Sequence, residues 1–481
     1  MKEKIFDFVS IQLDKNSKTS LYVQLYDVLR EAILCGQLSE GYLLPPVRRL
    51  AVEMGINAGT VVSAYRLLEK NGYVRAKRGS GFFVTDILTQ ADDEGGVREE
   101  SAFLPHMTMV KGGIDLLSAS PSPDCIRVGD FKRVINEVLD RDGGYAFGYQ
   151  DGQGYYPLRQ AMAGYLAGCG IRASAEAVQT ISGAQQGIDI VAKAVLSFGD
   201  YVLVERPTYA GAIGAFRSRG AKIIDIPMEE DGMDMDAVED ALRRFRPKLI
   251  YVMVNIQNPT GYSYSVAKRN RLLGLARRYQ TLILEDDYIG ELDYGDERMA
   301  PLKSLDRDER VIYCKSFSKM FMPGLRLGFL VVPERQRARI ISVKQQSDGS
   351  TAGLTQRAFD LYLRNGIWAK HSKAIYDVYR ARHEELASLL AGYLPETVTV
   401  YRARGGLTFW LRLPSGISAK AVADTLAEHG VLVQEGSAFF AMASPDSFLR
   451  VSFASEEGMR LCQGLKQLGK TIREEMKRKN K

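Results

Sequence analysis

Between residues 178 and 331 short apolar runs alternate with longer stretches of helical periodicity, and no other feature limits the fold as much. The runs lie at 178–181, 201–204, 222–226, 249–254, 282–284, 311–313 and 327–331. Strands that alternate with helices predict a mainly parallel sheet covered by helices, an α/β domain. From about Leu389 the pattern changes to shorter runs at 398–402, 407–413, 431–434 and 449–453, around a helical stretch at 419–429. That change predicts a smaller α+β lobe at the C-terminal side. A length of 481 residues also exceeds one ordinary core, so more than one domain is expected.

The front of the chain follows another pattern. Leu21, Leu25, Val28, Leu29, Ala32 and Ile33 recur at helical spacing until Gly36. A second helix is expected from near Pro45 and Pro46 to Gly55, because proline suits a first helical turn. A third opens at Asn57, a good N-cap, and runs through Val61, Ala64, Tyr65 and Leu68 to Gly72. Two strand-like runs around a glycine turn follow at 73–84, a β-hairpin. Three helices and a hairpin make a winged helix-turn-helix. Residues 85–108 then turn polar and acidic without periodicity, as a linker would. The expected domains are therefore 10–85, a linker at 86–113, and 114–470, with a large lobe at about 145–350 and a small one at about 385–470.

The net charge of +6 says little by itself, but from Arg48 to Val84 seven Lys or Arg face two Glu. A basic patch on so small a module fits a polyanion. A recognition helix needs a capped N-terminus and short polar residues in its first turn, and Asn57, Gly59, Thr60 and Ser63 supply them. Arg75, Lys77 and Arg78 place cations on the hairpin. The stretch 21–84 resembles the GntR-family winged helix, in Leu44-Pro45-x-x-Arg48-x-Leu50-Ala51, Gly55-Ile56, Thr60-Val61, Ala64-Tyr65, Leu68, Gly72-Tyr73-Val74 and Gly79-Ser80-Gly81. The resemblance implies that Arg48, the start of the third helix at Asn57, Gly59 and Thr60, and the wing at Lys77, Arg78 and Gly79 touch double-stranded DNA. Pro46, Val47 and Ala58 depart from the family pattern and bear on operator preference.

The larger domain carries Ser316-Phe317-Ser318-Lys319-x-x-x-Pro323-Gly324-x-Arg326-x-Gly328, which combines an amine, hydroxyls and an arginine able to grip a phosphate in bidentate fashion. It resembles the active-site segment of fold-type I aminotransferases, which hold pyridoxal 5'-phosphate as a Schiff base on the lysine, here Lys319. The resemblance extends to Leu282-Ile283-Leu284-Glu285-Asp286-Asp287-Tyr288, where Asp286 would pair with the ring nitrogen and Tyr288 donate to the phenolic oxygen; Asp287 is an alternative to Asp286. Asn258 would also donate to the phenolic oxygen, and Tyr209 would stack on the ring. Gly183, Ala184 and Gln185, where a strand gives way to a helix, could hold the phosphate on backbone N–H groups, helped by Ser316, Ser318 and Arg326. Tyr149, in Tyr149-Gln150-Asp151-x-x-Gly154, resembles the tyrosine that reaches a cofactor phosphate across a dimer interface, and Arg450 the arginine that binds a substrate carboxylate.

Five scattered cysteines and four histidines show neither disulfide nor metal-ligand spacing, so no metal is expected. No apolar run is long enough for a membrane span, which together with the polar start points to the cytoplasm. A GntR-like module joined to an aminotransferase-like domain resembles the MocR group of bacterial regulators. That resemblance implies a homodimer on an operator with two half-sites, sensing pyridoxal 5'-phosphate itself or an amino compound that reacts with it. Two other readings remain: a working aminotransferase with an accessory DNA-binding module, and a DNA-binding protein whose larger domain only dimerises.

Overall fold

The apolar stripe that contains Leu25, Leu29, Ala32 and Ile33 becomes the buried face of α1 (Leu21–Leu34) in the computed structural model. The structure describes residues 8, 13, 20–34, 37–39, 41–70, 73–77, 81–85, 112–442 and 446–479. They belong to two compact units that divide between Leu104 and Pro105. In the first, α1 packs with α2 (Val47–Glu53) and α3 (Ala58–Lys70) around Leu50, Val61, Ala64 and Leu68. The Tyr65 hydroxyl donates to the Pro45 carbonyl at 2.9 Å and fastens α3 to the segment leading into α2. The hairpin of β1 (Val74–Lys77) and β2 (Gly81–Val84) pairs Val74 with Val84 and Lys77 with Gly81. Leu43 bridges to Phe83 on its other side, which makes a small antiparallel sheet. Arg78, Gly79 and the expected linker lie outside the described residues, save for the linker's last two positions.

The second unit holds an eight-stranded sheet. In chain order its strands are β4 (Val178–Ile181), β5 (Tyr201–Arg206), β6 (Lys222–Glu229), β7 (Gly232–Met233), β8 (Leu249–Val252), β9 (Leu282–Asp287), β10 (Val311–Ser316) and β11 (Gly328–Val331). They lie side by side as β4-β11-β10-β9-β8-β5-β6-β7. The five strands from β10 to β6 are parallel, while β11 runs against both β10 and β4. Two reversals restore direction, so β4 points the same way as β10. The carboxyl ends of β4, β5, β8, β9 and β10 therefore share one edge, where ligands gather in open α/β sheets. Every residue of β4, β8, β9, β10 and β11 is buried, as expected when helices cover both faces.

The small lobe has a five-stranded sheet in the order β12 (Thr399–Val400), β13 (Thr408–Arg412), β15 (Phe448–Ser452), β14 (Val431–Glu435), β3 (Ile114–Leu116). Its last member precedes the large sheet in sequence, and β3 pairs parallel with β14 through Ile114 and Val431. Side chains of this lobe hold the β3 segment: Glu456 accepts from the Asp115 N–H at 2.8 Å, and the Ser452 hydroxyl donates to the Ser118 carbonyl at 2.6 Å.

The helix Ala184–Val195 lies on the large sheet at Gly187, where an added Cβ would stand 2.6 Å from Ile181 Cδ1 and 3.0 Å from Cys314 Sγ. Only glycine allows this approach, and the approach sets the helix N-terminus at the carboxyl edge. Gly187→Val is therefore expected to cost about 1–3 kcal/mol through overpacking. A lowered denaturant midpoint checks it; an unchanged midpoint would show that the helix can shift at no cost.

Candidate functional site

Loops leaving the carboxyl edge carry most of the residues singled out in the sequence. Gly183 follows β4, Tyr209 follows β5, Asn258 follows β8, Asp286 ends β9 with Tyr288 just beyond, and Ser318 and Lys319 follow Ser316 at the end of β10. Parallel strand direction brings them together. The small lobe adds Arg450, whose Nη1 donates to Asn258 Oδ1 at 3.2 Å.

At one end of the site Gly183 precedes the helix Ala184–Val195 with φ +92°, and its Cα lies where a Cβ would come within 2.8 Å of Arg326 Nη2. Arg326 donates to the Ser182 carbonyl at 2.8 Å and remains exposed beyond it. A guanidinium beside a helix N-terminus, whose first N–H groups include those of Ala184 and Gln185, is a strong anion cradle. Gln185 Nε2 donates to the Gly211 carbonyl at 2.9 Å, which ties this helix to the first turn of the helix Ala210–Ser218 that Tyr209 precedes. Ser316 Oγ accepts from the Ser318 N–H at 3.2 Å and shapes the turn that leads to Lys319.

At the other end Asp286 is 3% exposed. Its Oδ2 accepts from the Tyr251 hydroxyl at 2.7 Å, and Oδ1 is buried with no hydrogen-bond partner among the described residues. Burial pushes this carboxyl up to about 7. Asp287 faces elsewhere: it accepts from the Tyr313 hydroxyl at 2.7 Å, Lys315 Nζ at 3.2 Å and the Gly290 N–H at 2.8 Å. Burial opposes its charge, yet Lys315 and these donors outweigh burial and hold it below the ordinary carboxylate range. Of the two acids, Asp286 alone keeps an oxygen for a ligand.

Lys319 is half-buried. Burial, and then the cations Arg450 and Arg326, bring its amine down to about 8, so far more of it is unprotonated and nucleophilic near neutral pH than in an ordinary lysine. Burial also lowers Arg450 to about 10. Its guanidinium lies 5.0 Å from the Phe439 ring centre and donates to the Leu117 carbonyl at 3.1 Å, while Nε has no partner among the described residues. A half-buried guanidinium met only by neutral acceptors suits an incoming carboxylate. Burial raises the hydroxyl pKa of both Tyr209 and Tyr288 well above the usual value, so each stands as a neutral donor.

Tyr149 is not brought to this site within one chain: it is 99% exposed, near the exposed Tyr145 and Phe147. Conversely, sequence reasoning missed Tyr251, Phe439 and the Leu117 carbonyl. Tyr251 had a signal, a hydroxyl in the otherwise apolar run Leu249-Ile250-Tyr251-Val252; a backbone carbonyl has none. In the first unit Asn57 Oδ1 accepts from the Gly59 N–H at 2.7 Å and caps α3. Arg48, Arg75 and Lys77 are exposed, Thr60 is half-exposed, and Arg49 is paired with Glu53 at 2.7 Å.

Taken together, the edge offers an anion cradle, an amine and an unpartnered carboxylate oxygen. It suits a ligand that carries an anionic group, a hydrogen-bond donor and a group reactive towards an amine.

The family described as "Aminotransferase class I and II" matches residues 122–464, and "Bacterial regulatory proteins, gntR family" matches residues 21–84. The chain is 32% identical to the aromatic-amino-acid aminotransferase 1 of Thermococcus litoralis, over 76% of this chain and 89% of that protein. It is 28% identical to the probable rhizopine catabolism regulatory protein MocR of Rhizobium meliloti, over 95% of this chain and 94% of that one. The crystal structure of a multiple substrate aminotransferase from Thermococcus profundus superposes with a TM-score of 0.73 at 33% identity, covering 76% of this chain and 92% of that one. With a gntR helix-turn-helix joined to an aminotransferase domain and regulators of this type similar along its whole length, the chain belongs to the class I and II aminotransferase family in its MocR-type regulator form.

Proposed function

We propose that the chain is a DNA-binding transcription regulator whose larger domain holds pyridoxal 5'-phosphate on Lys319 and responds to that cofactor or to an amino compound. One observation carries the regulatory reading: the similarity to a MocR regulator spans 95% of the chain, both units included, whereas that to the aminotransferase of Thermococcus litoralis spans 76%. The working-aminotransferase reading draws on the same Lys319, Asp286 and Arg450.

The donor set fits the cofactor. Arg326 and the N–H groups of Ala184 and Gln185 would take the phosphate, with Ser316 and Ser318 shaping that end. Asn258 and Tyr288 would donate to the phenolic oxygen, Tyr209 would cover the ring face, and Asp286 would hold the ring nitrogen through its unpartnered oxygen. When bound, the cofactor supplies an electron sink through that protonated nitrogen. Arg450 would orient an amino compound by its carboxylate. Tyr149, exposed in one chain, would reach the phosphate of a partner subunit, which fits a homodimer presenting two winged helices to two half-sites. Arg48, Asn57, Gly59, Thr60 and Lys77, with Arg78 and Gly79 of the wing, would form the DNA face.

The first experiment is binding of the purified chain to DNA upstream of its own gene, with and without pyridoxal 5'-phosphate and a panel of amino compounds. Specific binding altered by a ligand supports the regulator. No binding, alongside many turnovers of an amino donor with a keto acid, makes the enzyme reading the better one. Lys319→Ala is expected to abolish the visible absorption of the covalently held cofactor while basal DNA binding persists; a persistent band would overturn the lysine assignment.

The rate of cofactor capture should rise with pH through about 8, because only the unprotonated Lys319 amine attacks. Arg450→Gln removes a cation that lowers this pKa, so the midpoint should move to higher pH. A midpoint that stays put would show that burial and Arg326 set it without Arg450. In the first unit, Arg48→Ala combined with Lys77→Ala should weaken DNA binding and flatten its logarithmic salt slope by roughly 1 for each phosphate left unneutralised. An unchanged slope would displace the DNA face from these residues.

A further inference from the structure

Tyr251 lies on β8, a strand buried at every position, between Ile250 and Val252. A hydroxyl in such surroundings needs a partner, and this one finds it on the neighbouring strand, donating to Asp286 Oδ2 at 2.7 Å. Parallel pairing sets Tyr251 beside Leu284, and Asp286 stands two residues on, on the same face of β9.

The bond therefore engages one carboxylate oxygen and sets the direction of the other, Oδ1, which is buried and unpartnered among the described residues. The charged or titratable groups around Asp286, besides Tyr251, include Asp287 on its own strand, Tyr288 just beyond it, Lys315 and Cys314 on β10, Glu205 on β5, and Tyr209. Asp287 and Lys315 are already paired, and Lys315 also meets Glu291 at 2.6 Å. Glu205 accepts from the Met253 N–H, the Gln257 amide and the Tyr264 hydroxyl. None of these hydrogen bonds involves Asp286, so orientation of its carboxylate falls to Tyr251.

We propose that Tyr251 is a positioning residue for the cofactor, clamping Asp286 Oδ2 so that the carboxylate stays ionised and presents Oδ1 to the ring nitrogen. The inference rests on the reading of the edge as a pyridoxal phosphate site. Hydrogen bonds to the charged form of an acid favour that form, and only the ionised carboxylate attracts a protonated ring nitrogen. Without the hydroxyl, burial would favour the neutral acid and the carboxyl would be free to turn.

Tyr251→Phe in the full-length chain tests this. The substitution removes one oxygen and retains the ring that makes an edge contact with Phe216, centroids 5.8 Å apart. Affinity is measured for pyridoxal 5'-phosphate and for its carbocyclic analogue, in which C–H replaces the ring nitrogen, alongside the thermal midpoint of the ligand-free chain. The expected result is about a tenfold loss for the natural cofactor, the size of one hydrogen bond to a charged group, and less than a twofold change for the analogue. In an Asp286→Asn background the same substitution should add no further loss. Equal weakening of both ligands would reduce the hydroxyl to a structural role and overturn the inference, as would unchanged affinity for the natural cofactor. If the unsubstituted chain does not bind the cofactor at all, the site reading falls and takes this inference with it.

Discussion

Three consecutive carboxyl groups, Glu285, Asp286 and Asp287, enter the protein interior together at the end of β9, and the arrangement of the larger domain turns on how the charges of the last two are met. Asp287 is satisfied internally by Lys315, Tyr313 and the Gly290 N–H. Lys315, 1% exposed, also meets Glu291, which accepts from the Tyr165 hydroxyl at 2.6 Å. This chain of contacts ties β9, β10 and the helix Tyr156–Gly168 into one block. Removing a member would strand a buried charge, a loss of about 3–5 kcal/mol. Asp286 is treated differently, with one oxygen held and the other left open.

That asymmetry gives the carboxyl edge its polarity. Negative charge is available at Asp286, while Arg326 and Arg450 supply positive charge and help lower the pKa of the Lys319 amine. Such a site favours a ligand that carries both a positive and a negative group.

Much of this was legible in the sequence because the sheet strands are apolar throughout and separated by helical periodicity. Each expected run from 178 to 331 corresponds to an observed strand, and the residues that follow several of them come as compact motifs. Other features depend on distance. The three-residue β3 carries no pattern of its own and gains its place by pairing with β14, more than three hundred residues later. The choice between Asp286 and Asp287 was open in the sequence, yet adjacent residues on a strand face opposite sides, so geometry permits only one at the site. Tyr251 was hidden because its ring satisfies the apolar pattern and only its hydroxyl departs from it. Tyr149, expected at the site, is instead 99% exposed in the single chain.

A sensing site must give its ligand something to distinguish between two states, since a ligand bound equally by both shifts nothing. Arg450 is held by two neutral acceptors, the Asn258 side chain and the Leu117 carbonyl. A carboxylate is the stronger acceptor and would compete with both for the guanidinium. Leu117 directly follows β3, the first described strand after the expected linker, and Asp115 accepts from the Leu117 and Ser118 N–H groups at 2.9 and 2.8 Å. The hydrogen bond that a bound carboxylate would disturb thus belongs to the segment through which the chain enters this domain.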